Sequence, residues 1–316
     1  MTKLVKLGAA GLLAAAIAVS YLFARDNPRF YQLRRCWNAA PNIFSCYGNR
    51  PFDFVTDFYG FKWEGNTENL IDRYTLYFGA FESPILHFLR DSMKTPGVFV
   101  DVGANSGQDS LFMSRHAKQV HAVEPYPPVL EKLRRHIFIN KVTNIIVHPV
   151  GLGSHRAKLP FYKPPAHNLG TGSFVDRFTD GNSAYGELQI VRGDDLFSAI
   201  EVNLIKIDVE GFERHVLEGL RKTLHKSRPI VVFELSFAPG RDYGFTSIEQ
   251  VHAAFPDNYK LLYFDKNKQN LRTGHYELHE FSRTSFFDTR TRANGNLQVD
   301  IVAYPAENEG LISRQP

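Results

Sequence analysis

The sequence predicts an α/β domain, doubly wound around a mostly parallel sheet. Three observations carry this reading. From Gly97 onward, short apolar runs alternate with amphipathic helical patterns. The first apolar run, 98–102, ends in a glycine-rich turn from Asp101 to Gly107. A carboxylate, Glu124, stands at the end of the next run.

Each element follows from its local pattern. Leu7 to Ala24 carries no charge. At about 1.5 Å per residue it reaches roughly 27 Å, enough for a bilayer core. A single-pass N-terminal membrane helix is therefore expected over residues 1–24. A cleaved signal peptide is the rival, because Ala16-Ile17-Ala18 and Ala18-Val19-Ser20 offer small residues for cleavage. Residues 25–95 read as a linker and extension. Within them, 52–63 and 70–78 are expected to pair as strands, with Tyr59-Gly60 and Glu64-Gly65-Asn66 as turn signals. Residues 83–93 show helical spacing of Ile85, Leu86 and Leu89. The main domain is expected over 96–305 and a tail over 306–316. Its strands are predicted at 98–102, 119–123, 144–150, 203–209, 229–235, 259–264 and 299–304. A helix at 126–140 carries Val129, Leu130, Leu133 and Ile137 on one face. Another, after residue 209, carries Val216, Leu217, Leu220 and Leu224.

Composition bounds the possibilities. The 316 residues are 43% hydrophobic, ample for a packed core and too little for a multi-span membrane protein. The formal charge of +4 is mild and the two signs interleave, so no nucleic-acid partner is expected. No His pair has a metal-ligand spacing such as HExxH, and no metal is expected. Cys36 and Cys46 flank a short loop; a disulfide and two free thiols are both open. Lys3 and Lys6 precede the apolar run and Arg25, Arg29, Arg34 and Arg35 follow it. Positive flanks tend to stay cytosolic, so the main domain is expected on the cytosolic side of the membrane.

The strongest site is the turn itself. Gly103 allows a tight turn and close approach of a ligand, and Gly107 allows the next helix to pack closely. Asn105 lies between them. Glu124, followed by Pro125, can accept hydrogen bonds from both hydroxyls of a ribose. Together they indicate an adenosine-type cofactor. A dinucleotide needs GxGxxG to cradle pyrophosphate at a helix N-terminus, and here the spacing is Gly-x-x-x-Gly. Asp101 places a negative charge at the mouth of the turn, which repels pyrophosphate and suits the ammonium and sulfonium of S-adenosyl-L-methionine. A second site is Lys206 to Glu213, where Ile207 should enter the core while Asp208 and Glu210 emerge at the carboxyl edge of the sheet. Glu213 reads as a residue favouring a helix N-terminus. Glu234 is a third candidate, and His167, Asn168 and Gly170 to Ser173 form a loop able to touch substrate.

These residues resemble the FkbM family of S-adenosylmethionine-dependent methyltransferases. The resemblance rests on Phe99 to Gly107, Val123 to Pro125, Gly151 to Ser154 and Lys206 to Glu213. Gly79-Ala80-Phe81-Glu82 also resembles the family's Gly-x-Tyr-Glu element, with Phe81 in the aromatic position. The resemblance implies a Rossmann-like, seven-stranded methyltransferase sheet whose last strand runs antiparallel. It adds Glu82 and Gly151 to the cofactor contacts. It also implies O-methylation of sugars, glycolipids or polyketide-like hydroxyls, so the expected partner is a hydroxyl-bearing glycan or lipid. Methyl transfer is an in-line displacement in which alignment does much of the work. A hydroxyl nucleophile must also lose its proton, and Asp208 or Glu210, tuned by Lys206, is expected to take it. N-methylation of a protein or amine, and a membrane-tethered binding protein without turnover, are the alternatives.

Overall fold

A computed structural model describes residues 36, 50–176, 184–236, 244–282 and 298–312. The expected membrane helix at Leu7 to Ala24 lies outside them. Among the described residues no helix is long and apolar enough to cross a membrane. Cys36 is buried and disulfide-bonded; Cys46 lies outside the described residues.

The first elements correct the sequence reading. Residues 52–63 are not one strand. Strands β1 (Asp53–Phe58) and β2 (Phe61–Asn66) form a two-stranded antiparallel hairpin. Tyr59 and Gly60 turn it, both at positive φ, as the tight turns that match strand twist require. The segment expected to pair with it as a strand is instead helix α1 (Leu70–Phe78). Asn69 caps it by accepting the Asp72 N–H, and Gly79 ends it at φ 98°. Its buried residues, Ile71, Asp72, Thr75 and Leu76, recur at helical rather than alternate spacing. The aromatic content of the segment suggested a strand, but the caps and the burial period decided otherwise. Helix α2 (Ser83–Ser92) follows as expected.

The main sheet then alternates with helices. Its elements begin with β3 (Val98–Val102), α3 (Gln108–Met113), β4 (Gln119–Val123), α4 (Pro127–Ile139) and β5 (Ile145–His148). They resume at β9 (Leu204–Ile207), α6 (Glu213–Gly219), α7 (Arg221–Ser227), β10 (Ile230–Ser236), α8 (Ile248–Ala253), β11 (Tyr259–Phe264), β12 (Leu278–Glu280) and β13 (Gln298–Pro305). Between the two halves lies a small sheet of β6 (Gly151–Gly153), β7 (Ala157–Tyr162) and β8 (Ala184–Arg192), followed by α5 (Gly193–Phe197). The small sheet was not foreseen.

The strand order is β12-β11-β13-β10-β9-β3-β4-β5. Strands β5, β4, β3, β9 and β10 are mutually parallel, and β13 runs antiparallel between β10 and β11. The antiparallel last strand agrees with the implied architecture. The count of seven does not: β12 adds an eighth strand at the edge, antiparallel to β11. Alternate residues feed two cores. Val100, Ile205, Ile207 and Val231 pack with Val216, Leu217 and Leu220 on one face. Phe99, Leu204 and Val232 pack with Trp63, Phe88 and Leu111 on the other. From β3 the chain winds outward to β4 and β5, then returns to β9 on the other side of β3. That reversal opens a crevice beyond the carboxyl ends of β3 and β9, the place where such sheets bind ligands.

Candidate active site

The crevice holds two adjoining cavities with different chemistry. The first is lined by aromatic and aliphatic groups, with Leu152, Tyr126, Phe161, Phe174 and Phe212 on its walls and Glu124 among them. The second is polar and carries Glu82, Asp109, Lys206, Asp208 and Glu210. Gly103, Asn105, Gly170 and Asp208 line both and mark their junction.

Backbone geometry sets the junction. Gly103 sits at φ 85°, and a Cβ on it would lie 1.8 Å from the Asp208 carbonyl oxygen. The turn after β3 and the turn after β9 can approach this closely only through glycine. Asn105 also holds a left-handed conformation, φ 50°, and its side chain accepts the Ser106 N–H at 2.6 Å. Its own N–H donates to Glu124 Oε2 at 2.9 Å, while Tyr126 N–H donates to Glu124 Oε1 at 2.8 Å. Each carboxylate oxygen accepts one backbone hydrogen bond and keeps capacity for another. Burial pushes the Glu124 carboxyl up to about 7, against the pull of those two N–H groups. Pro125 and Gly151 line the same cavity. A Cβ at Gly151 would meet Ile190 and Phe174, each at 2.7 Å.

The polar cavity is organised around one buried cation. Lys206 Nζ lies 3.2 Å from Asp208, 3.3 Å from Asp109 and 3.9 Å from Glu82. Burial alone would lower its pKa, but the carboxylates of Asp109, Asp208, Glu82 and Asp101 raise it well above the usual lysine value. Glu82 opens α2 from a left-handed conformation, φ 51°. Gln108 fixes the neighbouring residue by accepting the Phe81 N–H at 2.8 Å. Burial drives the Glu82 carboxyl well above its ordinary range, with Lys206 opposing it. On the far side, the carboxylates of Asp208, Glu210 and Glu234 bring oxygens within 4.8 Å of one another. That spacing suits a hard, oxygen-ligated cation, and it equally suits carboxyls sharing a proton. Glu234 is raised well above its ordinary range, first by burial and then by the charge of Asp208. It lies within β10, paired across to Asp300 of β13.

The structure brings most of the expected residues together and removes two. Asp208, Gly103 and Asn105 meet at the junction; Glu124, Pro125 and Gly151 border the apolar cavity; Glu82, Lys206 and Glu210 border the polar one. Asp101 does not stand at the mouth of the turn. It is fully buried beneath it, where Ser110 Oγ donates to Oδ2 at 2.5 Å and Oδ1 has no partner among the described residues. Burial, then the nearby Asp109, raises its carboxyl to about 7. Gly107 lines neither cavity; its missing side chain leaves room for Leu133 of α4, whose Cδ1 would lie 2.5 Å from a Cβ. Neither residue lines either cavity. Asp109 was missed, because an acidic residue in the first turn of a helix has an ordinary explanation. Phe161 and Phe174 were missed with the small sheet that carries or precedes them, and nothing local marked them.

A doubly wound sheet with a glycine turn, a carboxylate after the second strand and an aromatic cleft is the architecture of an α/β protein with a ligand crevice at its switch point. The chain belongs to the methyltransferase FkbM domain family, which matches residues 101–276. Hexuronic acid methyltransferase AglP of Haloferax volcanii is 29% identical over 154 residues, 48% of this chain and 61% of that protein. Methyltransferase 1 of Beauveria bassiana is 29% identical over 142 residues, 38% of this chain and 57% of that protein. The matches thus span about three fifths of the relatives' length. The crystal structure of an FkbM methyltransferase from Methylobacillus flagellatus aligns over 73% of this chain and 54% of that chain, at 16% identity and a TM-score of 0.40.

Proposed function

We propose that the protein is an S-adenosylmethionine-dependent O-methyltransferase acting on a hydroxyl of a glycan, glycolipid or similar small molecule. The observation that carries the reading is Asp208, which borders both the apolar cavity and the polar one. Residues on the apolar side fit the donor. Glu124 keeps acceptor capacity for a ribose diol, and the aromatic walls suit a purine. The polar side accommodates an amino-acid tail and an acceptor hydroxyl. When bound, the donor supplies an electrophilic methyl whose C–S bond breaks as the bond to the acceptor oxygen forms.

The chain's own work is positioning and proton removal. Lys206 pairs with Asp208 at the junction, where the Asp208 carboxylate takes the hydroxyl proton. Burial, then the charge of Asp208, raises the Glu234 carboxyl well above its ordinary range, which eases the repulsion within this group of three carboxyls. Among the described residues Lys206 is the cation of the acceptor side, and carboxylates already surround it. A neutral polyol hydroxyl therefore suits the site better than an anionic sugar. The hexuronic acid named for the Haloferax relative supports a sugar-like acceptor in general terms. The same excess of carboxylates favours a protonated amine as the second reading. The Leu7 to Ala24 run would tether the domain to a membrane with the cleft on the cytosolic side, close to a lipid-linked acceptor. The test is methyl incorporation from labelled donor into lipid and glycan extracts. Incorporation into a hydroxyl that fails in Asp208→Asn supports O-methylation; retained turnover in that variant supports the amine.

A further inference from the structure

We infer that Glu213 is a positioning residue that clamps the Asp208–Phe212 turn and thereby aims Asp208, Val209 and Phe212 into the cofactor cavity. This rests on the reading that the apolar cavity binds the methyl donor. From the sequence, Glu213 opens a helix and nothing more. In the structure it is fully buried and turned back beneath the loop that precedes it. Its Oε1 accepts the Gly211 N–H at 2.9 Å and the Val209 N–H at 3.3 Å.

The loop needs such a partner. Glu210 and Gly211 are consecutive left-handed residues, φ 53° and 99°, a conformation that turns several N–H groups toward one point and that non-glycine residues rarely hold. A carboxylate at that point satisfies donors that would otherwise be buried without acceptors. On its other side the loop is tied by Ser173, whose hydroxyl donates to the Glu210 carbonyl at 2.8 Å and accepts the Val175 N–H at 2.9 Å. Ser173 itself lines the cofactor cavity. The turn is thus gripped between its own helix and the loop facing the nucleoside site. Asp208, Val209 and Phe212, three of its residues, border that cavity. The Asp208 carbonyl also lies against Gly103, so a shift of the turn would disturb the junction from both sides.

The second carboxylate oxygen sharpens the inference. Glu213 Oε2 has no hydrogen-bond partner among the described residues and feels the negative charge of Asp208. The clamp therefore needs one acceptor oxygen at that reach, and it does not need a second negative oxygen. Glutamine supplies the acceptor and places an N–H donor where the charge is unfavourable. Aspartate keeps the charge but falls one methylene short, and alanine removes the group.

The experiment is calorimetric titration of S-adenosylhomocysteine into wild type, Glu213→Gln, Glu213→Asp and Glu213→Ala, with thermal melting of each. The expected result is that Gln binds within about threefold of wild type while Asp weakens binding about tenfold or more, its melting curve remaining cooperative. Recovery of affinity by Gln but not by Asp is a pattern that general loosening of the core does not produce. Loss of folding in Ala leaves the Gln and Asp pair to decide. Wild-type-like binding by Asp, or binding by Gln as weak as by Asp, overturns the clamp alone. Failure of wild type to bind S-adenosylhomocysteine overturns the cofactor reading and the clamp with it.

Discussion

The two halves of the crevice are built by opposite means. The apolar half is formed by packing: rings from β7, the residue before α4, the loop after residue 169 and the turn before α6 enclose it, and Glu124 is held by two backbone N–H groups. The polar half is formed by charge: one buried lysine balances Asp109, Asp208 and Glu82. The difference suggests a division of labour. A packed pocket with fixed donors recognises a rigid nucleoside, whereas a charge cluster with spare carboxylates can hold and deprotonate an acceptor. Changes on one side should therefore move affinity, and changes on the other should move turnover.

The largest effect is expected where the halves meet. Gly103→Ala would place a methyl 1.8 Å from the Asp208 carbonyl at a φ of 85°, so one of the two turns must move. S-adenosylhomocysteine affinity should fall about a hundredfold or more in calorimetry. Near-normal affinity would mean that the junction is more yielding than the close approach implies.

Next comes the charged half. Lys206→Met strands several carboxylates around a buried apolar chain. Because Asp208 and Glu82 are about a third exposed, the destabilisation should be near 2 kcal/mol in urea unfolding, below the range for a fully buried pair. An unchanged midpoint would show that Lys206 is not balancing the cluster. Asp208→Asn should lower turnover about a hundredfold while S-adenosylhomocysteine affinity changes less than threefold. Equal losses in both would place Asp208 among the donor-binding groups and blur the division.

How far the sequence shows this depends on how local each signal is. Strands 98–102, 119–123 and 259–264 were read to the residue, because short apolar runs bounded by turns need no distant context. Gly103, Glu124, Asp208 and Glu210 were legible because each closes a strand of that kind. The α1 segment was misread because aromatic residues favour strands, while its fate was set by Asn69, Gly79 and packing against the hairpin. Asp101 was placed at the surface because a sequence shows a charge and not its depth; here it lies opposite Lys206 on the neighbouring strand. The aromatic wall was invisible because its members come from elements far apart in the chain and meet only after folding. Glu213 was seen and undervalued, since a helix-opening glutamate has a common explanation.

The smallest effect is a pH dependence. Burial raises the Glu124 carboxyl to about 7, so the folded protein keeps a proton that the unfolded chain releases at lower pH. Its contribution to stability is full below the ordinary carboxylate range and is lost as pH rises to about 7. Asp101 and Glu213, also raised to about 7, act in the same direction. Thermal melts between pH 5 and 8 should fall across this window in wild type, and less steeply in Glu124→Gln. Equal slopes in the two proteins would mean that Glu124 does not titrate there. Donor affinity should run the other way, strengthening as pH passes about 7, because the ionised carboxylate accepts both ribose hydroxyls.

If the packed half of the crevice is a nucleoside site, Glu124 anchors it. The most direct measurement is calorimetric titration of S-adenosylhomocysteine into wild type and Glu124→Ala at pH 8, with melting curves to confirm folding. Saturable one-to-one binding by wild type is expected, with a loss of about tenfold or more in a variant that remains folded. Equal affinity in the two proteins would contradict it, and would move the ribose contact away from the carboxylate that ends the second strand of the sheet.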